Sequence, residues 1–150
     1  NCVAVIALAC LQADSAAEIA AALEKARDDN RRVLLAWASD DDPSRALAEI
    51  LRKNSKVSRT ILYEYVMVQV AASQKDLAAK YGVSGMPALT ILASDGTVLG
   101  LAAALDAESV DALLVKHRCA PLRADDVLQA ARDKAVAEKK RVLLVFGAPW

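Results

Sequence analysis

The densest group of chemistry-bearing side chains is Asp40-Asp41-Asp42, three consecutive carboxylates directly ahead of Pro43. Hard oxygen ligands of this kind could hold calcium or magnesium. No glycine-spaced aspartate pattern of an EF-hand follows, however, and aspartates ahead of a proline also cap a helix and complement the positive pole of its dipole. The capped helix start is the preferred reading, and no metal is expected. A single histidine, His117, and three scattered cysteines, Cys2, Cys10 and Cys119, cannot assemble a zinc site of the usual spacing. His117 and Cys119 lie two residues apart and would not share a helix face, so a Cys/His nucleophile pair is not expected. At the end of a helix, a protonated His117 would complement the negative pole instead. Met86 beside Pro87 offers either an adaptable apolar contact for a partner peptide or a plain core methionine. Trp37, Tyr63, Tyr65 and Tyr81 read as packing residues.

Composition narrows the function classes. The chain has 150 residues, 55% of them apolar, with 19 Lys+Arg against 19 Asp+Glu. That is enough apolar surface for a core and too even a charge balance for a nucleic-acid groove, which needs clustered cations. Three cysteines exclude a disulfide-built scaffold.

The elements that must position these residues follow from period and punctuation. A helix is expected over 16–29, with Asp14 or Ser15 as cap and Glu18 at the capping-box position if Ser15 is the cap. A buried strand follows at 32–38. The next helix, 43–53, would be capped by Asp42 with Pro43 at its first position. Ser55 would cap a further helical segment reaching Tyr63. Residues 65–71 read as a strand and Lys75 to Tyr81 as a short helix ended by Gly82. Strands over 87–92 and 98–102 flank Ser94-Asp95-Gly96-Thr97, whose Asp-Gly pair marks a hairpin, and a helix over 106–117 closes the unit. Such an order implies a central sheet with parallel and antiparallel parts, covered by helices on both faces.

The chain also repeats itself. Residues 19–41 laid over 128–150 give eight identities in 23 positions without a gap, including Lys25 with Lys134 and Arg32-Val33-Leu34-Leu35 with Arg141-Val142-Leu143-Leu144. The offset of 109 residues is domain-sized, not solenoid-sized. The expected organisation is therefore a domain over 15–118, a linker over 119–123, and the opening helix and strand of a second copy over 124–150.

With Gly82-Val83-Ser84-Gly85-Met86-Pro87 ahead of the hairpin, this order resembles the thioredoxin family. In the second copy Val142 to Trp150 is similar to the family's strand leading into Trp-Cys-x-x-Cys. The resemblance implies a thioredoxin-like three-layer α/β/α sandwich with a mixed central sheet, plus the first helix and strand of a second copy. It also implies a cis peptide at Met86-Pro87, in the loop that lines the family's groove for extended substrates; Gly85, Met86 and Pro87 are thus the expected contacts for a protein or peptide partner. The family's chemistry is thiol–disulfide exchange, in which a helix N-terminus lowers the first thiol's pKa. Carried back by the repeat offset, the two cysteine positions hold Asp42 and Arg45, neither of which can exchange a disulfide. The family's buried acid is likewise replaced, by Ala36 in the first copy and Val145 in the second. The first copy is therefore expected to be redox-inactive, a binding or spacing module that needs no cofactor. Pro149 and Trp150, the active-site flank of the second copy, place the redox chemistry of the intact protein there. The alternative is a non-redox structural or protein-interaction module.

At the other end, Cys2 to Cys10 is an uncharged apolar run, too short to span a bilayer but of signal-peptide length, with Ala7-Leu8-Ala9 as a small-x-small cleavage pattern. Residues 1–14 are accordingly expected to be a partial signal peptide, or a lipoprotein leader acylated at Cys10. Either form implies export, to the periplasm or to an extracytoplasmic membrane surface, without an integral membrane span.

Overall fold

A computed structural model describes residues 15–103 and 106–144. Helix α1 (Ser15–Asp28) carries Ile19, Ala22 and Ala26 at helical spacing, and these three are buried against the sheet. Asn30 ends the helix at φ 53°, with the Arg31 N–H donating to the Ala26 carbonyl at 2.8 Å. A left-handed residue at that place is the Schellman closure, which asparagine tolerates. Strand β1 (Arg32–Ala38) follows, and the helical segments α2 (Asp42–Lys53) and α3 (Ser55–Glu64) lead to β2 (Tyr65–Ala71). After α4 (Lys75–Lys80) come β3 (Ala88–Leu92), β4 (Val98–Ala102), α5 (Ala107–His117) and α6 (Ala124–Ala137).

The sheet runs β2-β1-β3-β4, with β1 and β2 parallel and the other pairs antiparallel. β1 reads as a continuous apolar run because both of its faces are covered. Val33, Leu35 and Trp37 enter the core beneath α1 and α4, whereas Leu34 and Ala36 meet Leu47 and Leu51 of α2, Val57 and Ile61 of α3, and Val110 and Leu114 of α5. This is the mixed, three-layer α/β/α sandwich that the element order implies. Two buried polar groups are paired within it: Trp37 Nε1 donates to Thr90 Oγ1 at 2.9 Å, and the Tyr65 hydroxyl donates to the Leu114 carbonyl at 2.6 Å. Burial raises the Tyr65 pKa above the ordinary tyrosine value. Trp37, Tyr65 and Tyr81 are buried, and Trp37 and Tyr81 meet with ring centroids 6.2 Å apart; Tyr63 is only half-buried, near the end of α3.

Several boundaries differ from expectation for identifiable reasons. The cap of α2 is Asp41, not Asp42: Asp41 is extended at φ −125° and its carboxylate accepts from the Ser44 N–H, which moves Pro43 to the second helical position. Asn54, not Ser55, caps α3, accepting from the amides of Lys56 and Val57 while its own N–H closes α2 on the Ile50 carbonyl. One residue thus ends one helix and begins the next. His117 closes α5 as expected but packs on β4, its Nε2 lying 2.9 Å from where a Cβ on Gly100 would stand. Desolvation, helped by Lys116 and Arg32, lowers its pKa, so the neutral ring is favoured rather than the protonated form expected at a helix end.

The repeat has a structural echo. α6 has the same 14-residue length as α1, Lys139 adopts φ 53° like Asn30, and the Lys140 N–H donates to Ala135 at 2.8 Å, as Arg31 does to Ala26. The expected strand after α6 is not formed over residues 141–144, which belong to no regular element and expose Val142, Leu143 and Leu144. A strand needs a neighbour for its backbone groups, and none is paired with this segment among the described residues. The leader over 1–14 with Cys10, and Val145, Pro149 and Trp150, lie outside the described residues.

Candidate functional site

The C-terminal end of β1, the start of α2 and the loop before β3 meet at one end of the sheet. β1 delivers Ser39-Asp40-Asp41 to the helix start, and a compact polar network fixes them. Asp41 accepts from the Ser44 N–H at 2.8 Å and from the Ser39 hydroxyl at 2.6 Å, while Ser44 Oγ accepts from the Ser39 N–H at 3.0 Å. Ser44 is buried. Hydrogen bonds from Ser39 and Ser44 stabilise the carboxylate and hold the Asp41 pKa at about 2. Asp42 and Arg45, the residues carried onto the family's two cysteine positions, form an ion pair at 2.6 Å, and Arg45 also reaches Asp40 at 3.2 Å. Both contacts are solvent-exposed and contribute little stability. Their chemical consequence is larger, because a carboxylate and a guanidinium cannot attack or leave a disulfide.

The three aspartates therefore do not act together: Asp41 is committed to the cap and its neighbours to Arg45. Among the described residues, no group of three or more His, Cys, Asp or Glu side chains is placed to share a metal ion.

Opposite the helix start lies the proline loop. α4 closes with Gly82 at φ 72°, a left-handed position suited to glycine, and the Val83 N–H donates to the Ala78 carbonyl at 2.8 Å. The Met86-Pro87 peptide is cis. Ala88 then enters β3 opposite Trp37 of β1, and this register brings Met86 back beside Ser39. Between them is a cavity of about 380 Å³, whose lining includes Ser39, Lys75, Ala78, Val83, Gly85 and Met86. Its wall is mainly apolar with one cation at the rim. Ser84, Gly85 and Met86 take part in no backbone hydrogen bond among the described residues. A Cβ added to Gly85 would meet nothing within 4 Å, so that stretch faces open space. A free run of amides and carbonyls beside an apolar hollow can pair with an extended peptide and seat one of its side chains.

Of the residues expected at a site, the structure brings Gly85 and Met86 together with Ser39, keeps Pro87 adjacent in the same loop, and sets Asp42 and Arg45 against each other at the helix start. Cys119 stands apart, half-buried in the linker after α5. There, Asn30 Nδ2 donates to the carbonyl of neighbouring Ala120 at 3.3 Å. Sequence reasoning missed the Ser39–Asp41–Ser44 network. Its signal was the Asp-x-x-Ser spacing, which places the Ser44 amide three residues into the turn that Asp41 caps.

The family model described as a thioredoxin-like domain matches residues 19–118. The chain belongs to that thioredoxin-like family. No curated protein matches the sequence. Solved structures share the fold. A disulphide isomerase from Xylella fastidiosa Temecula1 is 21% identical with a TM-score of 0.61, covering 70% of this chain and 92% of its own. The C-terminal domain of DsbD from Neisseria meningitidis, in its oxidised form, is 18% identical with a TM-score of 0.57, covering 70% and 97%. Thioredoxin O2 from Arabidopsis thaliana, also oxidised, is 18% identical with a TM-score of 0.54, covering 68% and 88%.

Proposed function

We propose that residues 15–118 form a redox-silent peptide-binding module of an exported protein, and that a second thioredoxin-like unit, opening at residue 124, performs thiol–disulfide exchange in the intact protein. The observation that carries the first half is the Asp42–Arg45 ion pair at the start of α2. Disulfide exchange requires a thiolate there, and the neighbouring carboxylates of Asp40 and Asp41 would disfavour one even if a thiol were introduced. Binding through the Gly85-Met86-Pro87 loop is supported by its unengaged backbone and the adjoining hollow. The second unit is supported by the matched length and matched closure of α1 and α6, together with the eight sequence identities. Export rests on the apolar run before residue 15; among the described residues no helix is long and apolar enough to cross a membrane. A purely structural or interaction role for both copies is the second reading, favoured by the first copy's having kept its fold with neither sulfur in place.

Insulin reduction in dithiothreitol tests the module directly. The 150-residue chain is expected to precipitate insulin no faster than dithiothreitol alone, whereas catalysed precipitation would overturn the redox-silent reading. Pairing the wild type with the Asp42→Cys/Arg45→Cys variant separates cause from accident. The variant should form an intramolecular disulfide on oxidation, because residues three apart on a helix face each other.

A further inference from the structure

We propose that the outer edge of β2, with the adjoining face of α1, is an interface between two copies of this chain. This inference is independent of the redox reading. Strand β2 ends the sheet, and among the described residues nothing pairs with its outer side. Protein edges are commonly blunted by lysine, proline or a bulge. β2 (Tyr-Val-Met-Val-Gln-Val-Ala) has no charge and no proline, and its pairing with β1 runs without a shift over all seven residues. By contrast, the pairing of β4, at the opposite edge, with β3 is interrupted by a bulge at Ile91/Leu92. Beside the β2 edge opens a cavity of about 680 Å³, larger than the one at the proline loop.

The pattern of this surface is self-complementary. The Ala72 N–H donates to the Ala38 carbonyl of the β1 side. By the two-residue period of a strand, the backbone groups of Val66, Val68 and Val70 also face β1, and those of Tyr65, Met67, Gln69 and Ala71 face outward. A second copy arriving antiparallel about a two-fold axis at Val68 would pair Met67 with its Gln69, and Tyr65 with its Ala71. The two Met67–Gln69 pairs exchange two N–H···O bonds each, whereas each Tyr65–Ala71 pair adds only one, from the Ala71 N–H to the Tyr65 carbonyl, because the Tyr65 N–H already donates to the Ile61 carbonyl and the Ala71 carbonyl accepts from the Gln74 N–H.

On the neighbouring helix, Glu18, Ala21, Ala22 and Lys25 share one face by their i, i+3, i+4, i+7 spacing and line the same cavity. Glu18 and Lys25 are equidistant from the Ala21/Ala22 midpoint. Ala21, Ala22 and Val68 line the same cavity, and a two-fold axis through Val68 that also passes the Ala21/Ala22 midpoint would set Glu18 of each copy opposite Lys25 of the other, with exposed Ala21 allowing the helices to approach. Neither charge has an ion-pair partner among the described residues. A two-fold interface must be self-complementary in this way. The charge arrangement is what selects a second copy over another occupant.

Sedimentation velocity and light scattering on the 150-residue chain, with Glu18→Lys, Lys25→Glu and the double reversal, test the proposal. The wild type should be a dimer. Each single reversal puts like charges opposite each other twice per dimer and should weaken it by about tenfold or more. The double reversal should restore the dimer, which also shows that neither change acts by unfolding the chain. Three results would overturn the proposal: a wild-type monomer, even one whose β2 amides are protected from exchange by another segment; a dimer indifferent to both single reversals; or a folded double variant that stays monomeric.

Discussion

Replacing Thr90 with valine should destabilise the domain well beyond what the small change of side chain suggests. Valine keeps the branched shape but removes the oxygen that accepts the Trp37 indole N–H at 2.9 Å. Both residues are fully buried, so water cannot replace the lost acceptor. An unsatisfied buried donor costs about 1–3 kcal/mol, against roughly ±0.5 kcal/mol for an ordinary surface substitution. In a domain of this size each kcal/mol lowers Tm by about 4–8 °C. Urea unfolding followed by circular dichroism would measure the loss without relying on tryptophan fluorescence. Adding Trp37→Phe completes a double-mutant cycle: once the indole N–H is gone, Thr90→Val should cost much less, leaving a coupling on the order of 1 kcal/mol or more. A Thr90→Val protein within about 0.5 kcal/mol of wild type would refute the reasoning, because it would mean that the indole N–H does not depend on this partner.

Three further outcomes follow from the same geometry. Asp41 has a depressed pKa, so the stability it contributes is present above the ordinary carboxylate value and is lost as pH falls from about 4 through its folded value of about 2. Acid titration of the wild type against Asp41→Asn should show the wild type losing its advantage in that window. His117 is an imidazole with a depressed pKa, so the folded state binds its proton less readily than the unfolded state does. Stability should therefore fall as pH drops below about 6.5, and His117→Gln should flatten that part of the profile. Gly100→Ala would put a methyl group 2.9 Å from the imidazole Nε2 and push the ring outward; proton NMR should then show the His117 pKa moving up toward its ordinary value.

Legibility differed between the sheet and the site. Strands β1 to β4 could be read closely because each is a mainly apolar run, with turn residues at its ends except where β2 follows α3 directly at Glu64, and Gly96 at φ 90° sits in the hairpin that Asp95-Gly96 announces. Helix starts were less legible where several capping residues stood in a row. Asp40, Asp41 and Asp42 are equivalent in sequence, and only the extended backbone of Asp41 together with the Ser44 amide decides among them. At the site, Asp42 and Arg45 were identified by the repeat offset, but their mutual ion pair depends on helical geometry. The pairing of Trp37 with Thr90 was invisible because it joins residues 53 apart through the β1–β3 register. The environment of His117 was hidden for a similar reason: it is set by Gly100 on a different element.

The central claim is that the proline loop binds extended peptide without redox chemistry. It is tested most directly by titrating the ¹⁵N-labelled chain with reduced, carboxymethylated insulin B chain, an extended peptide with no reactive thiol. Amide shifts should concentrate at Ser84, Gly85 and Met86 and at Ser39 across the cavity, and Gly85→Pro, which removes one backbone donor, should weaken them. Binding that leaves these four amides unmoved, or no binding at millimolar peptide, would contradict the account.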